Sequence, residues 1–233
     1  VLAQELALPD HALGLLTSTY FVTFAAAQIP LGMLLDRFGP RRVEAALLLA
    51  AAAGAAVFAL ADGLAGLAWG RALIGLGVSA CLMAAFKAFN QSFPPQQQAS
   101  LIGWVMAAGG LGAVFAAQPL QAAIGFVGWR EVMWLLAAAT LVVAAAIAFV
   151  VPEAAPAGRG AAFSEQLAGV RRVMTSRVFW RHAPMVTLAI GGFMALQGLW
   201  VSRWLAEVEG LDAVAVAQQL TRLNVAFLLG CLF

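Results

Sequence analysis

The chain is a series of long apolar runs broken at a few points by charge, proline or glycine, and that spacing leaves little choice of fold. A helix of about 20 apolar residues matches the roughly 30 Å of hydrocarbon in a bilayer. Inside hydrocarbon every backbone N–H and C=O must be satisfied within the structure, so a spanning run is either a helix or a strand of a closed barrel. The runs here are continuous rather than alternating, which argues against a barrel. Composition points the same way: 63% of the 233 residues are hydrophobic and 10% are charged. A water-soluble fold could not hide that much apolar surface.

Reading spans from the breaks predicts crossings at about 13–35, 43–61, 64–89, 99–120, 131–151 and 182–205, with a seventh beginning near 214. The expected organisation is a first transmembrane bundle over 1–151, a polar linker over 152–180 and the start of a second bundle over 181–233. The chain opens on Val1 and stops at Leu232-Phe233 inside an apolar run, as an internal fragment is expected to. Cys81 and Cys231 lie in apolar runs without metal or redox spacing and are expected to be small buried thiols. No cofactor or metal site is expected, and no basic patch suggests nucleic acid.

Orientation follows from the distribution of Lys and Arg over alternate connections. One side collects Arg37, Arg41, Arg42, Lys87, Arg159, Arg171, Arg172, Arg177 and Arg181, whereas the other holds Arg130 among acids such as Glu5, Asp62, Glu131 and Glu207. The first side, with the Asp36 turn and the 152–180 linker, is therefore expected to be cytoplasmic, and Val1 to lie outside.

The turn between the first two spans reads Gly32-Met33-Leu34-Leu35-Asp36-Arg37-Phe38-Gly39-Pro40-Arg41-Arg42. With Arg71-Ala72-Leu73-Ile74-Gly75-Leu76-Gly77 in the third span and Gly128-Trp129-Arg130 before the fifth, it resembles the major facilitator superfamily of secondary transporters over essentially the whole chain. The resemblance implies an all-α integral membrane bundle lacking the first helix of its N-terminal half and ending in the eighth. It also implies a multi-pass location in a bacterial inner membrane, no enzymatic chemistry, and a gating role for Gly32, Asp36, Arg37, Gly39, Arg41 and Arg42. Proline is missing from Gly109-Gly110-Leu111-Gly112, where the family's proton-coupled antiporters carry Gly-Pro, so uptake or symport fits better than drug antiport.

Asp36 can pair with Arg37, Arg41 or a basic group on a neighbouring helix, in one gate state and not the other. Gly32 and Gly39 fit close helix approach and a turn with permissive dihedrals. Arg71 lies inside an apolar helix, where an arginine costs about 2.5–3.5 kcal/mol on insertion scales, and so calls for a wet cavity, an acceptor or the outer interface. The resemblance favours the central pathway for Arg71, and Gly75 one turn on would let a neighbour come close. Tyr20, Gln28, Gln197 and Trp200 are candidates either for substrate contact or for helix bridging. Arg222 and Asn224 share a polar face of the last span with Gln218 and Thr221. Trp129, Trp134 and Trp204 fit an aromatic belt.

All acids are assigned to loops or helix ends, so no buried carboxylate is expected. With three arginines in or near spans and no acid, the expected partners are the lipid bilayer and a small solute, an organic or inorganic anion rather than a cation. The expected activity is secondary transport by alternating access, as a symporter or exchanger, with coupling to H+, to Na+ or to solute exchange left open. A transporter-like membrane sensor or scaffold without flux is the alternative.

Overall fold

The computed structural model describes residues 5–6, 9–116, 118–152 and 163–232, and the described residues contain helices and no strands. The helices are α1 (Asp10–Phe38), α2 (Pro40–Ala59), α3 (Leu64–Gly77), α4 (Cys81–Ser92), α5 (Pro95–Ala116), α6 (Gln118–Val127), α7 (Trp129–Val150), α8 (Phe163–Met174), α9 (Arg177–Ala195), α10 (Val201–Glu207) and α11 (Ala213–Leu232). A π-helical turn, Leu196–Trp200, joins α9 to α10. Among the described residues, Ala12–Phe38, Pro40–Ala59, Leu64–Ser92, Pro95–Ala116, Trp129–Val150 and Ala213–Gly230 are long and apolar enough to cross a membrane.

The expected boundaries shift for local reasons. Pro40 starts α2 at its first turn, where a missing N–H costs nothing, so that helix begins before the expected residue 43. The expected crossing at 64–89 is built of two helices joined by a turn at Val78, Ser79 and Ala80. The expected crossing at 182–205 corresponds to α9, the π-helical turn and α10. Part of the 152–180 linker is helical, as α8. Arg159 lies outside the described residues.

The helices group into two compact units, residues 1–98 with 126–160, and residues 99–125 with 161–233. In the first unit α2 packs against α3 and α7, and α1 against α3. The α2–α3 contact is a glycine interlock. A Cβ at Gly54 would lie 2.7 Å from the backbone nitrogen of Ile74 and 2.9 Å from the carbonyl oxygen of Gly70, while one at Gly70 would sit 2.9 Å from the Cα of Phe58. Gly77 closes on Ala51 further along. Where hydrocarbon removes the hydrophobic drive between helices, such small residues let backbones meet and dispersion hold them. Gly54→Leu is therefore expected to lower the thermal stability of the purified protein by an overpacking cost of about 1–3 kcal/mol or more. Gly103→Ala, with nothing within 4 Å of the added Cβ, serves as the near-neutral control. Equal melting temperatures for the two variants would contradict the interlock.

Candidate functional site

The turn between α1 and α2 is built on Gly39, whose φ of 82° is open to glycine and strained for most side chains. The Gly39 N–H donates to the carbonyl oxygen of Leu35 at 3.1 Å, closing α1 one residue after Phe38. This geometry leaves Asp36 in the last turn of α1, where Lys87 of α4 donates to its carboxylate. Of the candidate partners for Asp36, the structure selects the neighbouring helix. Arg37 instead places its guanidinium 5.3 Å from the centre of the Phe38 ring. Arg41 and Arg42 follow on the first turn of α2, Arg41 half-buried and Arg42 exposed. Among the described residues, nothing lies within 4 Å of a Cβ built at Gly32.

Midway along the same unit, Tyr20, Arg71 and Gly75 come together. A Cβ at Gly75 would lie 2.5 Å from the Tyr20 carbonyl oxygen and 2.6 Å from Thr23 Oγ1, so this glycine is what lets α1 cross α3. The Arg71 guanidinium stands 5.2 Å from the centre of the Phe58 ring and within electrostatic reach of the Tyr20 hydroxyl. It is exposed at the helix surface and, among the described residues, forms no ion pair. An arginine held over an aromatic face keeps its N–H donors free in the plane of the guanidinium, the arrangement that suits a pair of anionic oxygens such as those of a carboxylate.

Gln28 bridges helices: its Nε2 donates to the Ser79 carbonyl oxygen at 3.3 Å and to that of Phe24 at 3.3 Å. Ser79 is buried and donates its hydroxyl to the Leu76 carbonyl at 2.6 Å. Together they satisfy the backbone at the α3–α4 break.

In the second unit, Gln197 and Asn224 meet. Gln197 donates to Asn224 Oδ1 at 2.7 Å, and Asn224 donates to the Ala113 carbonyl oxygen at 3.2 Å, tying the π-helical turn, α11 and α5 to one another. The π-helical turn that carries Gln197 inserts a residue into the helix repeat, a feature frequent at functional sites. Trp200 is exposed and lines a shallow hollow with Leu196, Val201 and Trp204. Arg222 is exposed on α11. Arg203 of α10 pairs with Glu207 at 2.7 Å.

Three expectations are corrected. Glu44 is a buried carboxyl, 7% exposed, inside α2, where none was expected. Helix formation from Pro40 puts it one turn into the span, on the buried stripe of Leu48, Ala51, Ala55 and Phe58. Cys81 is exposed rather than buried. Trp129 is buried, not part of a belt; its indole N–H donates to Glu5 at 2.6 Å and its ring meets Phe58 edge to face at 5.8 Å.

Around Trp129 the opposite end of the first unit is latched. Arg130 stacks 4.4 Å from the Trp129 ring centre, donates to Glu5, and reaches Asp62 and the Ala61 carbonyl at 3.3 Å each. The Trp129 N–H first, then Arg130, hold the Glu5 carboxyl below its ordinary value of 4.5. A carboxylate with a depressed folded-state value contributes stability that is present above its unfolded value and lost as pH falls through the folded one. The melting temperature is thus expected to decline as pH drops below 4.5, and Glu5→Gln to flatten that acid limb. An unchanged acid limb in Glu5→Gln would show that the latch adds nothing.

Comparison with known proteins places this geometry. The family model described as Major Facilitator Superfamily matches residues 1–233. The chain is 32% identical over 116 residues to the nitrate/nitrite transporter NrtP of Picosynechococcus sp., a match covering 50% of this chain and 22% of that protein. It is 26% identical over 141 residues to the probable sulfoacetate transporter SauU of Cupriavidus necator, covering 60% of this chain and 33% of that protein. The chain thus spans about a fifth to a third of the length of these relatives.

Proposed function

The chain belongs to the major facilitator superfamily as an all-α, multi-pass integral membrane protein, and on that premise we propose that it is part of a secondary transporter for a small anion, working by alternating access. The observation that carries the anion is Arg71, a cation inside a membrane-length helix, set over Phe58 beside Tyr20 with its donors uncommitted to any described acid. A positive group so placed is costly unless an anion or water meets it. The names of the two relatives support the same class, since nitrate, nitrite and sulfoacetate are all anions with planar or tetrahedral oxygen clusters.

In this reading Arg71 binds the anion, with Tyr20 beside it as a hydroxyl donor and Gly75 holding α1 close. Within the second unit, Gln197, Trp200, Arg222 and Asn224 are pathway residues in their own right, and the Asp36–Lys87 pair of the first unit is a gate contact in the cytoplasm. The first bundle over 1–151 and the second bundle from 181, joined by the linker over 152–180, are the two parts that alternating access would move. The excess of Lys and Arg on the Asp36 side supports the cytoplasmic assignment of that turn and of the linker, in a bacterial inner membrane.

The test is uptake by the full-length protein in proteoliposomes, with labelled nitrate, sulfoacetate and a panel of small cations. Saturable anion uptake supports the proposal; saturable uptake of cations alone overturns the substrate class, and no flux of any solute favours a sensor or scaffold.

A further inference from the structure

Glu44 takes no part in the anion site or in the Asp36 gate, yet it is among the most unusual groups in the protein. Its side chain lies within α2, more than nine-tenths buried, and its Oε2 oxygen is fully enclosed with no hydrogen-bond partner. The adjacent Val43 joins Leu31, Leu35, Ala80 and Ala84 in a buried apolar cluster. An ionised carboxylate with an orphaned oxygen in such packing carries a large desolvation cost, whereas the neutral acid fits with far less. No charged group among the described residues donates to Oε2 of Glu44. From α4, the Cys81 thiol is the titratable side chain facing the carboxyl, and it brings no positive charge. Lys87 of the same helix pairs with Asp36 of α1. On α3, Arg71 stands over Phe58, fourteen residues along α2 from Glu44. On α7, Arg130 and Glu131 lie at the opposite end, where Arg130 pairs with Glu5 and Asp62. On α2 itself Arg41 and Arg42 precede Glu44 in the first turn, and neither donates to Oε2.

We propose that Glu44 is a proton-binding site: it holds H+ while α1, α2 and α4 are packed around it, and gives that proton to cytoplasmic water when the contact of α2 with α4 opens. The carboxylic O–H bond breaks, water takes the proton, and the carboxylate left behind is hydrated until it takes a proton from hydronium reaching it from the external side and the helices repack. The inference rests on the transport reading and deepens it, because it makes H+ the coupling ion and places its carrier at the gate end of the first unit rather than beside the anion.

Two measurements on the full-length protein in liposomes test this. In the first, nitrate and sulfoacetate are followed in wild type and Glu44→Gln, both as counterflow without a pH gradient and as accumulation driven by an imposed one. Glu44→Gln, a mimic of the protonated acid, is expected to keep counterflow and lose both gradient-driven accumulation and anion-triggered proton movement. Accumulation equal to wild type would overturn the proposal. Should Glu44→Gln lose counterflow as well, Glu44→Asp decides: coupled accumulation with a displaced pH profile supports the site, and a wild-type profile overturns it. In the second, infrared difference spectra of wild type between acid and alkaline pH are taken with Glu44→Gln as the blank. A carboxylic C=O band that disappears on alkalinisation and is missing in the variant supports the site, and its absence from wild type overturns it. If neither anion moves in wild type the transport reading fails, while the infrared experiment still decides whether Glu44 carries a proton.

Discussion

If Arg71 binds the anion as proposed, Arg71→Ala in the full-length protein is expected to cut saturable anion uptake roughly ten- to hundredfold while leaving the amount of protein in the membrane unchanged, because a hydrogen-bonded contact to a charged group is worth about 1.5–3 kcal/mol. The fold should not suffer. The guanidinium rests on the face of Phe58 at 5.2 Å, a contact worth about 0.5–2 kcal/mol, and its removal also spares the cost of a cation in the bilayer. Phe58 is itself fixed from its other neighbours, Trp129 edge to face and Gly70 of the interlock, so the helix crossing does not depend on the arginine. Arg71→Lys should recover part of the loss, since lysine restores charge without the planar pair of donors. The diagnostic is the split between the charge and the fork: wild-type uptake in Arg71→Lys together with failure of Arg71→Ala would mean that charge alone is required. Wild-type uptake in Arg71→Ala would remove this residue from the pathway altogether.

How far these features could be read from the sequence depends on the range of the interaction behind each. The turn at Gly39 is legible because its causes are local: the glycine permits a positive φ and the proline after it suits a helix start, and both occur. The crossing at Gly75 is half-legible, since a glycine one turn from Arg71 announces close approach but does not say that Tyr20 and Thr23 are what approach. The partner of Asp36 was not legible, because Lys87 lies 51 residues on and only the packing of α1 with α4 brings it there. Trp129 shows how one signal yields the wrong answer: a tryptophan at a span end reads as a belt residue, yet Glu5, 124 positions earlier, captures its N–H and Phe58 its ring. Glu44 could have been found. Counting the helix from Pro40 rather than from the first apolar residue places Glu44, Leu48, Ala51, Ala55 and Phe58 on one stripe, and that stripe is the buried one.

The same long-range pairing makes the proposed gate role of Asp36 and Lys87 testable by charge exchange. The Lys87 side chain is 21% exposed and that of Asp36 58%, so solvent weakens the pair and removing either charge alone should cost no more than about 1 kcal/mol, or about a fivefold change in turnover. Lys87→Asp goes further, because it sets two carboxylates against each other. Like charges about 4 Å apart repel by about 1–4 kcal/mol between the limits of bulk water and a protein surface, so the maximal rate of uptake is expected to fall roughly five- to several-hundredfold. The Michaelis constant should move much less, as the pair lies away from Arg71 and acts on the equilibrium between gate states rather than on the anion. The exchanged double variant Asp36→Lys with Lys87→Asp restores an opposite-charge pair and should recover most of the rate, a rescue that a solvated topology signal cannot produce because each charge would then act singly. A double variant no faster than Lys87→Asp alone would reduce the pair to a surface contact, and the role of the glycine-bounded turn would fall back to orienting the chain in the membrane.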